Sequence, residues 1–128
     1  MNNYQVMPAG FSGLDFASTQ VLDDFQGCPE ILASVAVLFR ENYPQDLKAL
    51  QDAVAARDGV TVAFLAHKIR GSVLCFHQES AAAAATALEQ KAERNDFTDT
   101  DCLLETLIHA FDLVCSTLER AERMLVEQ

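Results

Sequence analysis

The sequence predicts an all-α fold: an antiparallel four-helix bundle with a short additional N-terminal helix. Three observations lead there. Apolar residues recur at helical spacing along most of the chain. Ala, Leu, Glu and Gln abound, whereas 5 glycines and 3 prolines punctuate the 128 residues. No stretch alternates apolar and polar residues as a half-buried strand would. With 50% of its residues apolar, the chain can build one hydrophobic core, and its length fits a single domain.

Taken in order, residues 1–11 read as a mobile arm ahead of one domain over 12–128. Ser12, followed by Asp15 three residues later, resembles a helix N-cap, and Leu14, Ala17, Val21 and Phe25 give a short amphipathic helix. Gln26-Gly27-Cys28 ends it, and Pro29 suits the first position of the next helix. That helix is expected to reach residue 57, with Leu32, Val35, Leu38, Phe39, Leu47, Leu50 and Val54 on its apolar side. Pro44 is expected to kink or interrupt it, because proline lacks a backbone donor and clashes with the preceding turn. Asp58-Gly59 signals a turn before a helix over 60–76. The next helix starts near Ser80, where five alanines favour helix and allow close backbone approach. Asn95-Asp96 closes it, and Thr98 to Thr100 can cap the last helix. Leu104, Leu107, Ile108, Phe111, Val114, Cys115, Leu118, Ala121 and Leu125 form the stripe of that helix.

The formal charge is −10, from 19 acidic against 9 basic residues. Such a surface repels nucleic acid and anionic membrane, both of which require neutralising Lys and Arg, so a protein partner is expected. Cys28, Cys75, Cys102 and Cys115 form no C-x-x-C pair and fit free thiols in a reducing compartment. Neither a signal peptide nor a membrane-spanning stretch is evident, and a soluble cytoplasmic protein, monomeric, is expected.

One histidine stands out. In the helix over 60–76, Val62, Leu65, Ala66, Ile69, Val73 and Phe76 cluster within roughly 40° of one direction. His67 points about 140° away from them, toward solvent. Phe64, Arg70, Gly71 and Leu74 share its side of the helix. A mid-helix glycine costs about 1 kcal/mol relative to alanine, so Gly71 requires a reason; removing bulk one turn from His67 supplies one. Lys68 and Arg70 make a local basic spot suited to an anion arriving at the imidazole. A neutral imidazole nitrogen is a nucleophile able to hold a phosphoryl group, a transfer that depends chiefly on positioning and charge stabilisation. Read from residues alone, the opposite remains open: a surface histidine of no function, with Phe64 and Leu74 tucked beneath the N-terminal helix.

The string AHKIRGS at 66–72 resembles the signature of histidine-containing phosphotransfer (HPt) domains, an alanine-histidine pair followed by x-L-K-G-S. The resemblance covers about residues 30–125, including the FRENYPQDLKAL segment and the AAAAATALEQ helix. It implies that His67 is the phosphoacceptor, Ile69 the apolar position and Gly71 the clearance glycine. Arg70 replaces the usual lysine, which keeps the charge but alters its shape. By the same resemblance Glu89, where glutamine is common, orients the imidazole from the following helix. From helical geometry, not from the resemblance, Phe64 and Leu74 are expected to form an apolar docking patch beside His67, with the N-terminal helix supplying the rest. The implied partners are receiver domains of a hybrid sensor kinase and a response regulator. The chain itself has no kinase segment and no cofactor, and magnesium is expected from the receiver. Two positions depart from the pattern: Leu74 and His77 stand where small residues are usual, the second often glycine. The alternative is a helical adaptor, or an HPt-like chain that binds a signalling partner without phosphotransfer. A metal-binding bundle is disfavoured, because E-x-x-H pairs on two helices are missing and no metal ligands are assigned.

Overall fold

A computed structural model describes residues 20, 21, 23–25 and 28–126. The arm over 1–11, the Ser12–Asp15 cap and Leu14 and Ala17 lie outside the described residues, as does the side chain of Leu125. Of the N-terminal helix, residues 20, 21, 23 and 24 are helical, with Val21 buried and Phe25 packed against the core. Four long helices follow: α1 (Pro29–Ala55), α2 (Gly59–Leu74), α3 (Glu79–Glu93) and α4 (Asp101–Val126). No strand occurs among the described residues. Short connections force consecutive helices to run antiparallel. α1 packs on α2 and α4, and α3 packs on the same two, so the helices form a closed four-membered ring. α2 and α3 are the most extensively packed pair, because Ala81, Ala82, Ala84, Ala85 and Ala92 give α3 a flat buried face.

Each helix begins and ends for a local reason. Pro29 sits in the first turn of α1, where its missing N–H removes no bond. The helix continues through Pro44 without a break, so interruption does not occur there. Asp58 caps α2: its carboxylate accepts from the Thr61 amide at 3.2 Å and from the Thr61 hydroxyl at 2.6 Å. These bonds hold the Asp58 carboxyl below its usual range. The α2 helix stops at Leu74, two residues before the expected end, because His77 takes the left-handed conformation (φ 60°). The His77 amide then donates to the Leu74 carbonyl and the Gln78 amide to the Val73 carbonyl, both at 3.1 Å. This is the Schellman arrangement, in which a left-handed residue satisfies the last carbonyls of a helix. Arg57 (φ 56°) and Asn95 (φ 54°) close α1 and α3 in the same way. After α3, Asp96 accepts from Thr98 through its hydroxyl and amide and from Lys91, and its carboxyl is pushed far down in consequence.

The core joins all four helices. Phe39 and Tyr43 of α1 stack at 4.7 Å between ring centroids; Phe39 also meets Phe76 edge-on at 5.2 Å and Phe111 of α4 at 5.9 Å. The buried Tyr43 hydroxyl donates to the Leu107 carbonyl at 2.7 Å, so its polar end is satisfied. Burial pushes its pKa up. Two positions expected in the core are not there: Leu38 is 55% exposed and Ile108 is 41% exposed. Ala36, Tyr43 and Ala53 complete the α1 stripe instead, and Ala110 and Thr117 that of α4. Both misplaced residues lie at the edge of their stripes, where helix packing, rather than periodicity, selects the small neighbour for the interior.

Candidate functional site

The periodicity of α2 has a direct structural outcome. Val62, Leu65, Ala66, Ile69 and Val73 are all buried, which turns the opposite side of the helix outward. On that side the His67 ring is 61% exposed. The ring of helices leaves α2 with α1 on one flank and α3 on the other; a residue of α3 reaches the histidine and a residue of α1 reaches its neighbour Lys68.

From α3, the Glu89 carboxylate places Oε2 3.5 Å from Nδ1 of His67. That is a close ion-pair distance but too long for a hydrogen bond. From within α2, Arg70 places Nη2 3.3 Å from the same nitrogen. Glu89 and Arg70 therefore converge on Nδ1. On the α1 flank, the Lys68 ammonium donates to Asp46 at 3.1 Å, and the Asp46 carboxylate is largely buried. Lys68 and Arg70, read as one basic spot in the sequence, thus do different things: Lys68 ties α2 to α1, and Arg70 attends the imidazole. Asp46 was not among the residues the sequence singled out. Its partner is 22 positions away on another helix, a pairing that no spacing rule exposes.

Gly71 lies one turn beyond His67, and a Cβ built there meets nothing within 4 Å. Its φ is not positive, and no neighbour requires the missing side chain. Among the described residues no reason internal to the chain exists for this glycine. Phe64 is 67% exposed and Leu74 is 46% exposed, so neither side chain is buried. Val60, which the sequence reading passed over, is 84% exposed on the same line. Val60, Phe64, His67, Gly71 and Leu74 follow a 4-3-4-3 spacing, which sets them in one seam along the outer face of α2. Beside the seam an open groove of about 200 Å³ runs between α1 and α2, lined by Leu38, Asn42, Asp46, Lys68, Ser72 and Cys75 among others.

His77 also has a structural explanation. As the left-handed residue it caps α2, and its Nε2 lies 2.8 Å from an Asp24 carboxylate oxygen, which fastens the N-terminal helical segment to the end of α2. The connection keeps the form that a glycine would give. No group of three or more His, Cys, Asp or Glu side chains among the described residues is arranged to hold a metal ion. No helix among them is long and apolar enough to cross a membrane.

A family model described as Hpt domain matches residues 34–123. No curated protein and no solved structure gives a match. The matched span takes in most of α1, all of α2 and α3, and α4 nearly to its end. With well over half of the chain matched and the helical bundle that such domains adopt, this protein belongs to the Hpt domain family, the phosphocarrier modules of two-component phosphorelays.

Proposed function

We propose that His67 accepts a phosphoryl group from the aspartate of one receiver domain, in a hybrid sensor kinase, and passes it to the aspartate of another, in a response regulator. One observation carries this reading. An imidazole 61% exposed sits one turn from a glycine that nothing among the described residues requires. Steric clearance beside a nucleophile is explained by a second molecule that must come close.

In the accepting step, Nε2 of the neutral ring attacks the phosphorus of the aspartyl phosphate. The N–P bond forms as the P–O bond breaks, and the aspartate leaves as its carboxylate with the bonding electron pair. The proton on Nδ1 stays on the ring, facing Glu89, while Arg70 would swing from Nδ1 to pair with the phosphoryl oxygens. Donation to the second receiver reverses these bond changes. The magnesium such transfers use belongs to the receiver, whose acidic site would hold it. The surface offered to the receiver is the seam of Val60, Phe64 and Leu74 around His67, an exposed apolar patch of the kind that marks interaction sites. A monomer working in the cytoplasm, without nucleic acid or membrane contact, fits this role and the charge of −10.

The test is phosphorylation by an active receiver partner. His67→Gln is expected to keep its helix content, because the side chain is exposed, and to lose all acid-labile phosphate. Labelling retained on the variant would sink the proposal. A wild-type chain that binds a receiver without acquiring phosphate would instead favour the adaptor.

A further inference from the structure

We infer that Arg70 and Glu89 compete for Nδ1 of His67, and that this competition sets which ring nitrogen carries the proton. The consequence for transfer rests on His67 being the phosphoacceptor. The competition itself is a property of the free protein.

The inference follows from what each group can do. A guanidinium has donors only and a carboxylate acceptors only. Arg70 Nη2, 3.3 Å from Nδ1, makes a favourable bond only when Nδ1 offers its lone pair, which puts the proton of a neutral ring on Nε2. Glu89 Oε2, 3.5 Å from Nδ1, gains only when Nδ1 carries the proton, which leaves the lone pair on Nε2. The two side chains approach one nitrogen with opposite demands, and among the described residues they do not pair with each other. In the resting arrangement Arg70 is the nearer of the two, which favours the tautomer with Nε2 protonated, whose Nε2 has no free lone pair for attack.

Lys68 cannot take Arg70's place while its ammonium is bound to Asp46 at 3.1 Å. The Arg70 guanidinium, with donors on each nitrogen, can donate to the ring in one state and to phosphoryl oxygens in the other. When an anion draws Arg70 away, Glu89 takes Nδ1–H and the Nε2 lone pair is freed. Arg70 is thus a positioning residue that couples arrival of the phosphoryl group to activation of the nucleophile.

The decisive measurement is nitrogen NMR of the His67 ring in the unphosphorylated full chain, at a pH about two units above the usual imidazole value. In the wild type the Nε2–H tautomer is expected to dominate. Arg70→Ala should shift the tautomer ratio toward Nδ1–H by about three- to tenfold, the worth of one net hydrogen bond. Glu89→Ala should shift it the other way. Alanine is favoured in both helices, so both variants keep the fold. An unchanged ratio in either variant, or shifts in the same direction in both, overturns the competition. Tautomer shifts as stated in a protein that never accepts phosphate would defeat the phosphotransfer reading and leave the competition intact; phosphate labelling with unchanged ratios would do the reverse.

Discussion

Two glycines on α2 show how one residue type answers to two kinds of constraint. At Gly59, the first residue of the helix, a Cβ would lie 2.8 Å from the carbonyl oxygen of Ala92 and 3.1 Å from Asn95 Oδ1, at the end of α3. At Gly71, three turns on, a Cβ would meet nothing within 4 Å. The first glycine lets two backbones of the same chain approach each other. The second has no such neighbour among the described residues, and under the proposed function its cost to the helix is balanced by the approach of a receiver domain. On that reading the region around Gly59 serves stability and the region around Gly71 serves encounter. Substitutions should separate them cleanly.

The largest expected effect is on transfer at the open site. Gly71→Gln should slow phosphotransfer by about a hundredfold, the scale on which a misplacement of about 1 Å acts, by keeping a receiver's aspartate from His67. Its stability should rise by roughly 0.5–1 kcal/mol, since glutamine is the better helix former. Stopped-flow transfer and urea melts would show both, and near-normal transfer would remove the contrast between the glycines. Gly59→Ala should give the reverse pattern. The backbone clash should cost about 1–3 kcal/mol of stability, while transfer by the folded fraction stays normal.

Smaller effects sharpen the same division. Phe64→Ala should change stability by no more than about 0.5 kcal/mol, because the ring is 67% exposed. Receiver binding should weaken by about 1–2 kcal/mol if Phe64 lies at the interface centre. Calorimetric titration against a receiver, set beside a denaturant melt, distinguishes this from a core phenylalanine, whose loss would cost about 3–5 kcal/mol. The smallest effects fall at the helix ends. Arg57→Gly should stabilise by about 1 kcal/mol, by relieving a left-handed non-glycine residue. His77→Gly should gain less, because it also gives up the contact with Asp24. Equal shifts in melting temperature for the two variants would mean that the Asp24 contact contributes nothing.

Part of the candidate site was legible in the sequence because α2 is regular. A run of apolar residues at helical spacing defines an inside, and whatever points the other way is outside; the outward direction of His67 and the position of Phe64 and Leu74 off the core stripe followed from that alone, whereas the phosphoacceptor role of His67 came from the likeness to a known motif. Glu89 came from the likeness of the chain to a known motif, and the structure brings its carboxylate to the ring. Val60 obeyed the same periodicity and was missed because it sits in the first turn, where the stripe has barely begun. Leu38 and Ile108 were placed inside wrongly for a related reason. At the edge of a stripe the spacing allows either side, and only the neighbouring helix chooses.

The sequence by itself determined the helices, their order and the outward direction of His67, because periodicity, caps and turn residues act over a few positions along one chain. Tertiary structure decided the rest. It tied Lys68 to Asp46 across 22 positions, left Arg70 on the imidazole, brought Glu89 to the same nitrogen, and kept Phe64 and Leu74 uncovered. The physical reason is that spacing along a helix fixes only the angle of a side chain about that helix's own axis. Which group it meets depends on the rotation and axial offset of the neighbouring helix, and these are set by how the whole core packs.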